Sequence, residues 1–324
     1  MNDLTVFQNI LEVLRVGGVA VLCAVLDSKG STPRGAGARM AVLPDGRSVG
    51  TVGGGAVEQL VQREALRVLE TGQPFVRNYA MTGGSSDTGM VCGGTATVGC
   101  LRLIGADLEA VAAICALLVS NEPGLLTIDF HAEPRLRIER GAAAACPAFD
   151  GGVYVEPLNQ MGRVCVFGGG HVGQALVPVL NAIDCRVVVF DDRPEIAQRA
   201  LFPDAFDVIC GNYASVSKRL ILTDRDAAVI MTHGHKMDLE VLCQVLPMSP
   251  GYVGCLGSRR KRAFIDGELA ARGFDAEQIA SVRLPIGLPI GAATPAEIAV
   301  SIAAELISWR ASRAASKPRG CPAQ

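Results

Sequence analysis

The chain has no run approaching the ~18 apolar residues of a membrane span, and its start, Met1-Asn-Asp-Leu4, lacks the basic-then-apolar pattern of a signal peptide. Its eleven cysteines, an odd number, include no C-x-x-C pair, which argues against both a zinc ribbon and a disulfide framework. Charge is sparse and balanced: 19% of residues are charged and the formal net charge is -2, which disfavours general binding to nucleic acid or to an anionic membrane. These absences lead to the expectation of a cytoplasmic protein with reduced thiols. The composition is apolar instead: 49% of the 324 residues are hydrophobic, enough to bury substantial cores in about two domains.

The most informative stretch is Arg163-Val-Cys-Val-Phe-Gly-Gly-Gly-His-Val-Gly173, an apolar run feeding a G-x-G-x-x-G turn. In such a turn Gly168 permits the tight bend, Gly170 lets the backbone approach a diphosphate and Gly173 lets helix and strand pack closely. Free N–H groups at the helix start, from His171 onward, face the anion. A second apolar run, Arg186-Val-Val-Val-Phe190, ends in Asp191-Asp192, where a dinucleotide fold places its ribose-binding acid. The same pattern also suits a βαβ unit that packs tightly and binds nothing. From Arg163 onward strands (164–167, 186–190, 206–210, 227–232, 252–256) alternate with helices starting at His171 and near Met237, the pattern of an α/β, doubly wound parallel sheet. Pro178 is expected to kink or end the first of those helices. Thr294-Pro-Ala-Glu297 reads as a capping box that opens a last helix, with Ile298, Ile302, Leu306 and Trp309 as its apolar stripe.

Other segments carry chemistry-bearing residues. Ser258, Arg259, Arg260 and Lys261 open a helix with cations, which oppose its macrodipole unless an anion sits nearby, so they are candidates for a phosphate-bearing ligand or else a solvated basic face. His233-Gly-His235, with Asp238 close behind, suits polar contacts to a ligand better than a metal, since stable metal sites generally need three or more ligands. Gly53, Gly54 and Gly55 open onto a helix over Ala56–Glu70 closed by Gly72, and form a second candidate anion site. The stretch 27–39 brings Arg34 and Arg39 among glycines and hydroxyls, as an anion-binding surface or as a long turn. Cys23, Cys165, Cys185, Cys210 and Cys243 lie in apolar runs and read as core residues, whereas Cys92, in Gly89-Met-Val-Cys-Gly-Gly94, has glycine neighbours that would leave its sulfur accessible.

The organisation expected is a smaller N-terminal α/β domain over 1–105 with a strand at 19–26 and a hairpin at 39–52. A connecting region over 106–161 has a helix near 111–119, strand pieces at 125–130 and 136–138, and a linker at 141–152. A Rossmann-like domain over 162–310 and a disordered tail over 311–324 complete the chain.

Taken together, Gly30-Ser-Thr-Pro33, Gly37-Ala-Arg-Met40, Gly50-Thr-Val-Gly-Gly-Gly-Ala-Val-Glu58, Met90-Val-Cys-Gly-Gly94, Val166 to Gly173, Met231-Thr-His-Gly-His235, Gly254 to Lys261 and Pro285-Ile-Gly-Leu288 with Gly291 resemble the XdhC/CoxI family. These are accessory proteins of xanthine dehydrogenase and related molybdenum hydroxylases. The resemblance implies a two-domain protein, often a homodimer, that acts in maturation and not as an enzyme. It would bind molybdenum cofactor, as molybdopterin or a dinucleotide form, and protect it while a cysteine desulfurase partner exchanges a terminal oxo ligand for sulfide. It would then deliver the cofactor to an apo molybdenum hydroxylase. The cofactor's phosphate suits the glycine turns and cations, and its soft dithiolene and metal suit Cys92 as a transient molybdenum contact. The stretch Gly83–Thr88 departs from the Leu-Gly-Pro-type sequence of xanthine dehydrogenase partners, which leaves the client hydroxylase open.

A reading from another class is an NAD(P)-dependent oxidoreductase, with Asp191 or Asp192 on the adenosine ribose and His233 or His235 as acid/base. Against it, no separate substrate domain follows the glycine turn's α/β unit. A third is a nucleotide-controlled association module that turns nothing over.

Overall fold

The protein is described by a computed structural model over residues 3–81, 93–120, 122–133, 135–141, 146–159 and 162–316. It divides into two compact units, one within residues 1–160 and one within 161–317.

The first unit runs α1 (Asp3–Arg15), β1 (Ala20–Lys29), β2 (Arg39–Val42), β3 (Ser48–Gly50), α2 (Gly55–Thr71), β4 (Phe75–Ala80), β5 (Thr95–Leu103), α3 (Leu108–Ser120), β6 (Gly124–Asp129), β7 (Leu136–Arg140), β8 (Ala148–Asp150) and β9 (Val153–Leu158). Five antiparallel strands pair in the order β3-β2-β1-β5-β4. Strand β1 is apolar over most of its length because both of its faces are covered. Val21, Cys23 and Val25 pack against Val57, Val61 and Val68 of α2. Ala20, Leu22 and Leu26 pack against Phe7 and Ile10 of α1 and Ile114 of α3. A second sheet, β7-β6-β9-β8, adds Leu126, Ile128 and Tyr154 to that same core. Residues 106–159 therefore build the first unit instead of connecting two others, and β8 falls inside the Ala- and Gly-rich stretch that composition reads as a linker.

Arg39 does not serve an anion-binding surface. It is buried at the start of β2, where it pairs with Glu156 of β9 and lies 3.3 Å from Asp3 of α1, while the Tyr154 hydroxyl donates to Glu156 at 2.6 Å. Cys23 and Cys100 face each other across β1 and β5 as free buried thiols with sulfurs 3.2 Å apart, and burial pushes the Cys100 thiol well up.

The second unit runs β10 (Val164–Phe167), α4 (His171–Ala182), β11 (Val187–Asp191), β12 (Asp207–Cys210), β13 (Ala227–Ile230), α5 (His235–Val245), β14 (Tyr252–Cys255), α6 (Arg259–Ala271), α7 (Ala276–Ser281), β15 (Val282–Arg283) and α8 (Pro295–Ser316). Its six strands are all parallel in the order β12-β11-β10-β13-β14-β15, the Rossmann order. Successive residues of β10 serve opposite cores. Val164 and Val166 pack with Leu176 of α4 and Ile302 of α8, and Cys165 and Phe167 with Leu242 of α5 and Ile265 of α6. Double covering of this kind requires the continuous apolar runs seen in the sequence.

Three local expectations need amending. Helix α4 continues through Pro178 to Ala182, because Leu176, Val177 and Leu180 are clamped in the core and hold the last turn despite the missing N–H. Helix α8 extends past Arg310 to Ser316, and the rest of the expected tail lies outside the described residues. Cys210, at the end of edge strand β12, is exposed, while Cys185 and Cys243 are half-buried. The capping box at the start of α8 forms as read: Glu297 accepts from the amides of Ala293 and Thr294 at 2.8 and 2.9 Å. Among the described residues no helix is long and apolar enough to cross a membrane.

Replacing Glu156 by Ala would leave Arg39 charged in the core with only the half-exposed Asp3 beside it. Urea unfolding of Glu156→Ala should show a loss of about 3 kcal/mol, and a loss under about 1 kcal/mol would mean that water reaches the guanidinium.

Candidate functional site

The C-terminal ends of the parallel strands gather the glycine turn, two histidines and the cationic helix start. At the turn, Gly168 adopts φ 113 and its N–H donates to Phe190 O at 2.9 Å. A Cβ on Gly168 would strike the Met231 carbonyl of the loop after β13, and one on Gly173 would strike the Gly168 carbonyl. Both glycines are therefore fixed by close packing at the point where the sheet order reverses between β10 and β13. Gly170 differs, since a Cβ there meets nothing within 4 Å, so the backbone at the start of α4 is open to a ligand, with His171 exposed as the first helical residue.

The two acids after the second apolar run have separate fates. Asp191 is fully buried and accepts from Gly169 N at 2.7 Å and from Arg193 through its N–H and guanidinium at 2.8–2.9 Å. Burial alone would raise this carboxyl, but the Arg193 guanidinium and the two amides outweigh it and hold it below the ordinary carboxylate range. Asp191 is thus spent on holding the turn against β11. Asp192 keeps a partly exposed side chain 3.7 Å from His233 Nδ1.

The loop bearing His233 is held by Asp238, which the short spacing in the sequence groups with the histidines as a ligand contact. Asp238 is buried, accepting from Thr232 N and Oγ1 at 3.0 and 2.8 Å and from Lys261, whose ammonium also donates to Leu256 O at 2.6 Å. This pair ties the loop after β13 to the loop after β14, so Lys261 is withdrawn from any phosphate. Arg262 is likewise engaged, with Asp266 and the Val282 carbonyl. Ser258 caps α6 by accepting from Lys261 N, which leaves Arg259 and Arg260 as the exposed cations at the helix start. His233 and His235 are both exposed, His235 edge-on to Phe264 at 5.3 Å. Among the described residues no three His, Cys, Asp or Glu side chains come together to hold a metal ion.

In the first unit, Gly53, Gly54 and Gly55 take positive φ and open α2. The anion at this nest is internal. Glu58 Oε2 accepts from Val52 N at 3.1 Å, Gly54 N at 3.0 Å and the Thr51 hydroxyl. Sequence reasoning misses Glu58, although an acid in the first turn of a helix is the available signal. The nest adjoins the 28–37 loop, since a Cβ on Gly53 would touch Pro33 at 3.5 Å, and Arg34 in that loop is exposed. The same loop meets the start of β5, with Gly94 against the Ser31 backbone. Cys92 lies outside the described residues.

Comparison with known proteins finds the same two units. Residues 164–306 match the XdhC Rossmann domain, and residues 13–80 match the XdhC and CoxI family. The chain belongs to the XdhC and CoxI family. Among family-like relatives, it is 27% identical over 94% of its length to 88% of an Escherichia coli K12 protein named molybdenum cofactor insertion chaperone PaoD. It is 27% identical over 90% of its length to 93% of a Bacillus subtilis 168 protein named as a probable xanthine dehydrogenase subunit. It also matches E. coli YqeB at 26% identity over 88% of its own length, but spans only 42% of that longer protein. A Bacillus halodurans crystal structure titled as a xanthine dehydrogenase superposes with a TM-score of 0.80 at 22% identity, covering 99% of this chain and 98% of that one, a likeness of fold.

The XdhC Rossmann domain of this chain rests on depressed carboxyls, which sets its acid behaviour. Asp226, like Asp191, is lowered despite burial, by the Arg163 guanidinium and the amides of Arg163 and Thr223. Both groups bind fewer protons folded than unfolded below about pH 4, so their stabilisation is full above that value and is lost as pH falls through the folded pKa. Melting temperature should drop steeply from pH 4 downward and less steeply in Asp191→Asn; identical slopes would remove Asp191 from the account. At neutral pH, Lys261→Met should cost on the order of 3 kcal/mol by stranding Asp238, read by urea unfolding.

Proposed function

We propose that this family member is a molybdenum cofactor insertion chaperone for a xanthine dehydrogenase-like molybdenum hydroxylase. The observation that carries the reading is full-length similarity, through both family domains, to a relative named as such a chaperone. The geometry is consistent with carriage. Cofactor phosphate would meet the open backbone at Gly170 and His171, with Ser258 and the exposed Arg259 and Arg260 two strands along the same sheet edge, after β14. Gly168 and Gly173 shape that turn, Asp191 braces it, and Asp192, His233 and His235 line the same end of the sheet. Gly53, Gly54 and Gly55 hold Glu58, so an external anion would have to displace a carboxylate there, and Arg34 is an exposed cation of that region. Cys92 supplies the soft thiol suited to molybdenum or its sulfur.

In the full form of this reading the protein binds the cofactor as a dimer in the cytoplasm and shields it while a cysteine desulfurase partner replaces an oxo ligand with sulfide. It then transfers the cofactor to the apo-hydroxylase. Hydride transfer with NAD(P) ranks below it, because the similarity that spans both family domains is to a relative named as a cofactor chaperone, and of the two acids at the end of β11 only Asp192 is left for a ribose, Asp191 being saturated by Arg193 and Gly169.

Reconstitution of an apo-hydroxylase with cofactor and this protein as sole chaperone tests the proposal. The wild type should raise hydroxylase activity at least about tenfold over cofactor alone, and Cys92→Ser should fold normally yet give back most of that gain, a change equivalent to about 1.4 kcal/mol. Equal activation by Cys92→Ser would remove the thiol from the mechanism, and no activation by the wild type would defeat insertion itself.

A further inference from the structure

The core of the first unit holds a pair of thiols in register. Cys23 of β1 and Cys100 of β5 stand directly opposite each other in the antiparallel ladder, with sulfurs 3.2 Å apart and the Cys100 thiol donating to Cys23. Opposed residues in such a ladder have Cα atoms about 4.5 or 5.5 Å apart, and both spacings fall inside the range of about 4.4–6.8 Å that a disulfide spans. Closing the pair therefore asks for rotation of two short side chains and not for a shift of either strand. Two other fully buried strand thiols, Cys165 and Cys255, lack this relation, because β13 runs between β10 and β14.

Burial selects the reagent. Both residues are 0% exposed and pack among Val57, Val61 and Val68 of α2. A peptide disulfide or a protein thiol cannot reach them, whereas hydrogen peroxide is small and uncharged. Because Cys100 donates, Cys23 is the sulfur on which negative charge can develop, and the thiolate is the attacking form. We propose that Cys23 and Cys100 are a peroxide-sensitive pair that closes to an internal disulfide. Cys23 sulfur attacks one peroxide oxygen and the O–O bond breaks. A sulfenic acid forms, and the other oxygen leaves as water with the Cys23 proton. Cys100 sulfur then attacks Cys23 sulfur: the S–S bond forms, the S–O bond breaks and a second water carries off the Cys100 proton. The two sulfurs lose two electrons in all, which the peroxide gains.

The bond would join residues 77 apart and tie β1 to β5 behind the ends that carry the 28–37 loop and Gly94. The register of the two strands shifts between Val25 and Asp27, so Asp27–Lys29 and Thr95–Thr97 form a separate last stretch of ladder. A crosslink behind that stretch opposes its opening. The proposal does not depend on cofactor carriage.

Peptide mapping of the full-length wild-type protein, reduced, freed of reductant and treated with hydrogen peroxide, tests the pairing. A linked peptide containing Cys23 and Cys100, lighter by two hydrogens and separated by dithiothreitol, should appear, with Cys165 and Cys255 still thiols. Before oxidation, a bulky aromatic disulfide reagent should label the exposed Cys146 and Cys210 but neither Cys23 nor Cys100. Hydrogen exchange over residues 27–29 and 95–97 should slow at least about tenfold on oxidation and recover on reduction. Cys100→Ala, whose native circular dichroism spectrum certifies its fold, should lose that response. Absence of the linked peptide while Cys146 and Cys210 oxidise would overturn the pair. Labelling of Cys23 by the bulky reagent in the folded chain would overturn selection by burial, and a linked peptide with unchanged exchange would overturn the tie between the strands.

Discussion

Amide-rich turns at helix starts attract anions, and in this protein the chain's own carboxylates take most of those places. Glu58 fills the nest of Gly53–Gly55, and Asp191 takes the amide of Gly169. Asp238 plays the related part of joining two strand-end loops, through Thr232 on one side and Lys261 on the other. Each internal anion fixes a loop, and among the described residues at the end of the parallel sheet the backbone at Gly170 and the cations Arg259 and Arg260 stay open. The candidate edge is defined as much by what is already neutralised as by what is open.

The same economy separates residues that look alike in sequence. Lys261 and Arg262 belong to one basic run with Arg259 and Arg260, yet the first two turn inward to Asp238 and Asp266 and the others stay exposed. Asp191 and Asp192 are neighbours of one type, yet one is saturated and the other holds an unmatched oxygen. A run of like residues at a helix start or strand end changes face with every step, which periodicity predicts but which partner each face meets does not follow from it.

The parallel sheet is legible in the sequence because a doubly covered strand must be apolar at every position, as Val164–Phe167 and Val187–Phe190 are, and because Gly168 and Gly173 have packing roles that only glycine fills. The region 106–159 is not, since its strands are short and β8 stands between Pro147 and Gly151. Its place in the core depends on α3 meeting α1 and on Tyr154 packing among residues of α1 and β1, contacts remote in sequence. The structural role of Arg39 is hidden for the same reason, its partner lying 117 residues away. At the candidate site the residue types are readable, but the internal pairing of Glu58, Asp191 and Lys261 is not, because hydrogen-bond saturation is a property of the assembled loops.

The proposal of cofactor carriage rests on family membership, the open turn at Gly170 and the exposed Arg259 and Arg260. The most direct measurement is the molybdenum and pterin content of the protein purified anaerobically from cells that make the cofactor, with metal by mass spectrometry and pterin by fluorescence after oxidation. Carriage predicts both in near-stoichiometric and equal amounts. Neither metal nor pterin, in a preparation where a control carrier retains both, would contradict it.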